Sequence, residues 1–289
     1  MPRKLSVREF FKRFPDEDTC LEHVMDARFG LRHTCGKCGT IDATFHRLQN
    51  RKAYACAHCG DNLYPCAGTI FQDSRTPLQV WFYAIYLFTV SRNGVSGMEL
   101  HRTLGVTRKT GYRIGVQIRK LMRKADYKGP LGGHCELDET YVGGVHKGRD
   151  WHSAKTIVMG MKERGGALRT EIIPNATMSS LHDVVIRNIE PGSVISTDEW
   201  KAYSLLTNNG FHHGSVNHSQ KEWAVTDDLG NRHHVNGLEN FWKHFKSSVR
   251  GTHVHVSRGH MPEYLGEFTY RANHREMGNA MFDALIAAL

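Results

Sequence analysis

CGKCGTIDATFHRLQNRKAYACAHC, residues 35–59, places two C-x2-C pairs seventeen residues apart. The four cysteines are Cys35, Cys38, Cys56 and Cys59. Each pair can turn two thiolates toward one metal, and two such pairs complete a tetrahedral shell. The spacing therefore predicts a zinc ribbon with a structural Zn2+, since a four-cysteine shell leaves no position for a reacting water. The alternative interpretation is four free or disulfide-linked thiols.

The composition is that of an ordinary globular protein with a basic surplus. Hydrophobic residues make up 40% of the 289 residues, and the net charge is +9 with 19 histidines left neutral. This surplus favours a polyanionic partner, although a merely basic cytosolic protein would have it too. The most apolar stretch, 80–90, is too short to span a bilayer. No signal-peptide core follows the start MPRKL, and seven cysteines are an odd number, so we expect a cytoplasmic protein without a membrane partner.

Changes in pattern along the chain predict four consecutive regions. They are a helical lead-in (1–30), the zinc ribbon (31–72), a helical DNA-binding region (73–130) and a mixed α/β region (131–289). The last boundary rests on PLGG at 130–133, which interrupts the helical pattern.

Residues 94–117 have the pattern of a helix-turn-helix. The first helix ends at a glycine, and Thr107 then caps a second helix that carries Arg108, Lys109 and Arg113. Such a helix presents groups that can reach phosphates and base edges in DNA. The alternative interpretation is an ordinary α-hairpin with a solvated basic face.

The pattern of the region after residue 131 predicts a mixed α/β domain. Strands are predicted at 134–142, 156–162, 168–173 and 193–197, and helices are predicted to dominate from Asn236 onward. A β-hairpin followed by helix, strand and helix predicts a mixed sheet with flanking helices.

Two predicted strands and one predicted helix of this α/β pattern carry acidic residues. Strand alternation puts Asp138 on one face of its strand, and Asp198 follows a short apolar strand. In the helix that starts near Asn236, a polar stripe lies opposite an apolar one. The polar stripe is Asn236, Glu239, Lys243 and Lys246, and the apolar stripe is Leu238, Phe241, Trp242, Phe245 and Val249.

Three acidic groups from two strands and a helix suit a pair of Mg2+ ions. Mg2+ prefers carboxylate oxygens, and two ions can activate an attacking oxygen and stabilise a leaving one. The interpretation makes Asp138, Asp198 and Glu239 the ligands and places Lys246 near the substrate backbone as a point charge. Taken singly, each residue has an ordinary alternative: an aspartate can be a cap, and Glu239 can pair with Lys243.

The stretches that carry these residues resemble the bacterial insertion-sequence transposases of the fifteen-ninety-five type. They are ELDETYVGG (136–144), STDEWKAY (196–203), HVNGLENFWKHFK (234–246) and YLGEFTYR (264–271). The resemblance extends over nearly the whole chain and includes the ribbon.

The resemblance implies a ribonuclease-H-like core that cuts and joins DNA with Mg2+ or Mn2+, in a bacterial, nucleoid-associated setting. It implies terminal inverted repeats and target DNA as partners, and a homo-oligomer in the active complex. It carries over Asp138 and Asp198 as the first two metal ligands. Relatives of this type have either Asn or Glu in the third place, so both Asn236 and Glu239 are candidates, and we prefer Glu239 because a carboxylate binds Mg2+ better than an amide does. The rival functions are a nuclease of the same fold without strand transfer and a domesticated, zinc-dependent DNA-binding regulator.

Overall fold

A computed structural model describes residues 5–30, 32–143, 155–198, 206 and 210–289. They form two compact units: the chain up to Ala125 together with His274–Leu289, and Asp126–Asn273. Within these residues, no helix combines the length and the apolar character that crossing a bilayer requires.

The first unit begins with two capped helices, Val7–Arg13 (α1) and Glu17–Phe29 (α2). Ser6 and Glu9 form a capping box, in which each side chain accepts the backbone N–H of the other residue. Asp16 caps α2 in the simpler way, with its side chain accepting one N–H of the first turn. Both helices lie where the sequence predicts a helical lead-in.

The cysteine-rich segment folds into a small antiparallel sheet. Its strands, in sheet order, are Arg32–His33 (β1), Ala43–Leu48 (β2), Ala53–Cys56 (β3) and Asn62–Leu63 (β4). One buried cluster of this sheet contains Cys35, Ala43 and Cys56, with Phe45 packed against it, and Ala53 and Tyr54 of β3 are buried as well. So small a set of apolar residues cannot stabilise a fold of this size by burial alone.

Three helices complete this part of the unit: Leu78–Val90 (α3), Gly97–Leu104 (α4) and Arg108–Ala125 (α5). The sequence predicts α3 with these bounds, directly after Pro77. Gly105 ends α4 with φ +66°, a left-handed conformation that favours glycine. The two helices that follow α3 touch closely, because a Cβ on Gly111 would lie 2.6 Å from the Gly97 carbonyl oxygen.

The second unit is built on a five-stranded mixed sheet. Its strands in chain order are His134–Val142 (β5), Thr156–Glu163 (β6), Leu168–Ile173 (β7), Val194–Asp198 (β8) and His212–Val216 (β9). The sheet order is β7-β6-β5-β8-β9; β5, β6 and β7 are antiparallel neighbours, whereas β8 runs parallel to β5 and to β9. A separate two-stranded antiparallel sheet follows, formed by Val225–Thr226 (β10) and Arg232–His233 (β11). The predicted α/β class with a mixed sheet is confirmed.

Helices cover both faces of this sheet. Met178–Asn188 (α6) packs on one face, in a core that includes Leu137 and Ile195. Asn236–Ser248 (α7) and Met261–Asn273 (α8) pack on the other face, in a core that includes Val142 and Val158.

The last helix, Ala280–Ala287 (α9), belongs to the first unit. Its Phe282 lies within ring-contact distance of Phe10, Phe14 and Phe82, with centroids 5.3 to 6.1 Å apart. The predicted region 131–289 includes α9, and the structure instead groups this helix with the N-terminal helices, because its apolar face completes their aromatic core.

Candidate active site and metal centre

The four predicted zinc ligands converge at one end of the ribbon. The Sγ atoms of Cys35 and Cys59 are 3.7 Å apart, and those of Cys38 and Cys56 are 4.0 Å apart. All four sulfur atoms lie within 4.8 Å of one another. In a tetrahedral shell with Zn–S bonds of about 2.3 Å, sulfur atoms are separated by about 3.8 Å, so the observed spacing fits Zn2+.

Each cysteine pair lies in the same type of turn. Gly39 (φ +71°) donates its N–H to the carbonyl of Cys35, and Gly60 (φ +69°) donates its N–H to the carbonyl of Cys56, both at 2.9 Å. The two turns therefore aim their sulfur atoms in the same way. The Thr40 hydroxyl, 3.2 Å from the Cys38 sulfur, lowers the pKa of that thiol to about 6 and so favours the thiolate, which is the form that binds metal.

Two of the predicted acidic residues lie on the same face of neighbouring strands. The parallel pairing of β5 with β8 puts Glu136 beside Ser196. Asp138 and Asp198 are each two residues further along their strands, so both side chains project from that same face. Leu137 of β5 and Ile195 of β8, which alternate with them, point to the α6 side of the sheet. The fold therefore brings Asp138 and Asp198 together, although they are sixty residues apart in sequence.

Helix α7 packs on that same face. Gly160 is the β6 residue opposite Asp138, and a Cβ there would lie 2.6 Å from the Trp242 ring and 2.8 Å from the Leu238 side chain. The missing side chain lets α7 approach the sheet directly. The apolar stripe predicted for α7 is confirmed: Leu238, Trp242 and Phe245 are buried, and Phe241 and Val249 pack against them.

Asp138 is surrounded by charges of the same sign. Burial raises its pKa to about 8, with added contributions from the carboxylates of Glu139, Asp198 and Glu239, while Lys246 acts in the opposite direction. Burial also lowers the pKa of the Lys246 ammonium, and the charge of Asp138 opposes that change. Several carboxylates held together in a half-buried place repel one another, and divalent cations would offset this repulsion.

The carboxylates are more widely spaced than the cysteines. Among the described residues, the four cysteines are the one group of three or more His, Cys, Asp or Glu residues whose ligand atoms all lie within 4.8 Å of one another. Glu239 and Asn236 are both exposed, one turn apart at the beginning of α7. The charge of Glu239 acts on Asp138, whereas an amide would bring no charge. Residues 144 and 199–203 of the first two motifs lie outside the described residues.

The basic residues predicted to contact DNA lie on α5. Arg108 and Lys109 are exposed in its first turn. Arg113 is exposed as well, but its guanidinium donates to the Ser74 hydroxyl at 3.2 Å and lies 5.5 Å from the centre of the Trp81 ring. Arg113 thus has a contact within its own unit, which the sequence did not indicate.

Sequence reasoning did not single out Glu136 or Arg164, which lie beside the acidic residues. Glu136 is 2% exposed and shares a strand face with Asp138. The guanidinium of Arg164 lies 3.4 Å from its carboxylate. Alternation along β5 indicates the face of Glu136, but no local signal identifies a partner 28 residues away.

Comparisons with known proteins agree with both parts of this architecture. Residues 130–273 match the family model described as the ISXO2-like transposase domain, and residues 15–62 match the transposase zinc-ribbon domain. The chain is 29% identical over 108 residues to an uncharacterized transposase-like protein of Haemophilus influenzae, covering 37% of this chain and 82% of that protein. It is 28% identical over 241 residues to an uncharacterized protein in transposable element ISH50 of Halobacterium salinarum, covering 75% and 77%.

One of the solved structures that resemble this chain is a chain of the simian T-cell lymphotropic virus intasome in complex with PP2A regulatory subunit B56 gamma. Its TM-score is 0.31 at 13% identity, and 65% of each chain is covered, so this chain spans just under two thirds of its length. A likeness this distant carries no argument about function.

The two family matches together extend over more than half of the chain. The chain belongs to the ISXO2-like family of insertion-sequence transposases with an N-terminal zinc ribbon, the fifteen-ninety-five type. The resemblance seen in the sequence is thereby confirmed, and the matched ribbon together with the cysteine shell supports a structural Zn2+.

Proposed function

We propose that this chain is a DNA transposase that binds the terminal inverted repeats of its element and catalyses metal-dependent strand cleavage and strand transfer. The observation that carries this proposal is the convergence of Asp138 and Asp198 with Glu239 and Lys246 on one face of the mixed sheet. A cluster of carboxylates with a half-buried lysine suits a phosphodiester held by divalent metal ions.

In this proposal Asp138, Asp198 and Glu239 hold two Mg2+ or Mn2+ ions, which polarise the attacking oxygen and stabilise the leaving one. Water first cleaves the phosphodiester and leaves a 3′ hydroxyl, and that hydroxyl then attacks a phosphodiester of target DNA and displaces another 3′ oxygen. Each step forms one P–O bond and breaks one. No serine or tyrosine nucleophile is needed. Lys246 contributes one positive charge near the phosphate.

The DNA-binding part of the proposal rests on the first unit. The ribbon and the pair α4–α5, taken as a helix-turn-helix, grip the terminal repeat, with Arg108 and Lys109 at the start of the second helix. The strand order and the mixed directions in the second unit support a ribonuclease-H-like core. Following the family resemblance, the proposal includes a homo-oligomer in the active complex, acting in the bacterial cytoplasm on nucleoid DNA.

Strand transfer separates this function from its two rivals. A duplex carrying the terminal repeat is incubated with the protein, Mg2+ and a supercoiled target plasmid. A transposase joins the repeat to the plasmid, a nuclease only cuts it, and a DNA-binding regulator only retains it. If the protein cuts the repeat but never joins it to the plasmid, the proposal is wrong and the chain is a nuclease.

We expect Arg108→Ala and Lys109→Ala to weaken terminal-repeat binding. Each cation that contacts a phosphate releases counterions, so its loss lowers the slope of log K against log salt by about 1. Fluorescence anisotropy across a salt series measures this slope. Arg187→Ala, which removes a cation of the second unit that pairs with Glu171, is the control and leaves the slope unchanged. Binding that ignores salt would contradict phosphate contact.

Substitutions in the first turn of α7 identify the third metal ligand. Glu239→Gln is expected to abolish Mg2+-dependent cleavage, because the amide lacks the charge that balances the metal. Asn236→Ala should reduce cleavage less if Glu239 is the ligand, and Lys246→Ala should reduce it least, since that lysine offers a single point charge. Near-native cleavage by Glu239→Gln together with an inactive Asn236→Ala would make the site Asp-Asp-Asn instead.

A further inference from the structure

Glu136 lies on the same strand face as Asp138, but it has different surroundings. It is 2% exposed, and both of its carboxylate oxygens lie against protein groups. Oε2 accepts the backbone N–H of Leu238 at 3.1 Å. Oε1 lies 3.2 Å from Nδ1 of His234 and 3.4 Å from Nε of Arg164. A carboxylate whose two oxygens are both engaged in this way is not placed to take a metal ion.

The Leu238 N–H belongs to the first turn of α7. The residue that precedes α7, Val235, makes no side-chain cap, and the Leu238 N–H is shared between the Val235 carbonyl oxygen and Glu136, each at 3.1 Å. Glu136 therefore supplies, from 102 residues away, a second acceptor and a negative charge at this helix start. It does so for the helix that carries Asn236, Glu239 and Lys246.

The contact is close because of a glycine. A Cβ on Gly237 would lie 2.6 Å from Oε2 of Glu136 and 2.8 Å from Nζ of Lys162, the residue opposite Glu136 in β6. A methyl group at position 237 would therefore push the ends of the Glu136 and Lys162 side chains out of their places. The glycine lets the Glu136 carboxylate lie directly against the first turn of α7.

Arg164 fixes the chain that leads into α7. It donates to the carbonyl oxygens of Arg232 and His234, the latter at 3.0 Å, and to Nδ1 of His134 at 3.1 Å. The segment between β11 and α7 is therefore held to the start of β5 through one guanidinium. The contact of Arg164 with Glu136 joins this connection to the helix contact.

We propose that Glu136, held by Arg164, is a positioning residue that sets the place of the third metal ligand on α7 relative to Asp138 and Asp198. The inference rests on the proposed function, since it assumes that these residues bind catalytic metal. Residues that orient metal ligands from behind usually change metal affinity or activity by about 10- to 100-fold when they are replaced. The charge and the acceptor of Glu136 act on metal binding without contact to the ion.

The test makes two measurements on the zinc-loaded full-length protein. Mn2+ binding is followed by the loss of the EPR signal of free Mn2+, and Mg2+-dependent cleavage is followed on a duplex that carries the terminal repeat. Glu136→Gln keeps the size of the side chain and removes its charge, and we expect its Mn2+ and Mg2+ requirements to rise about tenfold while terminal-repeat binding stays constant. Gly237→Ala, which leaves every charge in place, is expected to shift both requirements in the same direction, because its methyl group displaces the Glu136 carboxylate from the start of α7.

Glu267→Gln is the matched control. Glu267 is fully buried and pairs with Arg271 at 3.3 Å, so this variant also removes a buried carboxylate that faces an arginine. It is expected to lower the melting temperature and to leave both metal requirements unchanged. If Glu136→Gln and Gly237→Ala bind Mn2+ as the wild type does, or if Glu267→Gln shifts the requirements equally, the positioning role is overturned.

The failure of the proposed function has a different signature. In that case Asp138→Asn binds Mn2+ as tightly as the wild type, which shows that the acidic residues hold no metal, and the inference falls with it. If Asp138→Asn loses Mn2+ and Glu136→Gln weakens it tenfold in a protein that cuts no DNA, the positioning role stands while the reaction does not.

Discussion

Asp138→Asn is expected to abolish both cleavage and joining while leaving terminal-repeat binding close to that of the wild type. The substitution keeps the shape of a side chain that lies between the charges of Asp198, Glu239 and Lys246, and it removes one negative charge. Metal ions contribute several kcal/mol of charge stabilisation in the transition state, and a loss of about 4 kcal/mol slows a reaction about a thousandfold. Gel assays of cleavage and joining, with Mg2+ and with Mn2+, measure this loss, and Asp198→Asn should behave in the same way.

Asp183→Asn is the control for this prediction. Asp183 lies on α6, on the opposite side of the sheet, and 70% of its side chain is exposed. Its substitution should leave cleavage and joining unchanged. Full activity in Asp138→Asn would refute the metal-dependent mechanism, whatever the outcome of the substitutions in the first unit.

Cys56→Ser is expected to release the zinc and to unfold the ribbon, with the second unit remaining folded. Structural Zn2+ contributes about 10 to 16 kcal/mol of binding free energy in small zinc-binding peptides. The buried cluster beside the metal position is small (Cys35, Ala43 and Cys56, with Phe45 packed against it), so it cannot make up for the loss of the metal. Metal analysis should fall from one zinc per chain toward none. Limited proteolysis should then cut within 35–59, and terminal-repeat binding should fall along with the ribbon.

Cys66→Ser tests whether the effect is specific. Cys66 is a buried free thiol outside the four-cysteine shell, so this variant should keep its zinc and its ribbon. Native protein without zinc, or a Cys56→Ser variant that retains it, would contradict the zinc-ribbon prediction.

The positions of helices and strands with a strong hydrophobic periodicity, or with a proline or glycine at their ends, could be predicted closely. Helix α3 lies where a helix from about Leu78 to Val90 was predicted, and β5 lies where a strand was predicted at 134–142, because an apolar run after proline and an alternating strand are local signals. Strand β9, with the sequence HHGSV, could not be predicted, since only Val216 in it is buried and no alternation marks it. Its conformation depends on its pairing with β8, a contact between separate segments of the chain that the local sequence does not reveal.

The candidate site was predictable to the extent that its residues lie in recognisable motifs. Asp138, Asp198 and Glu239 each stand out within a strand or a helix, and the register of β5 with β8 then brings two of them together. The contrast between Glu136 and Asp138 was not predictable. Both lie on one strand face, and only the distant Leu238 N–H and the Arg164 side chain distinguish the buried, engaged carboxylate from the one left among other acids.

The return of α9 to the first unit has a consequence for the order in which the chain folds during synthesis. The ribosome makes Asp126–Asn273 before it makes α9. Phe10, Phe14 and Phe82 therefore lack their contact with Phe282 until the whole second unit has been synthesised. Domains tend to fold as they leave the ribosome, and this arrangement reverses the usual N-terminal-first order. The unit with the candidate metal-binding carboxylates can fold first, whereas the aromatic core of the first unit is completed only after residue 287 has been translated.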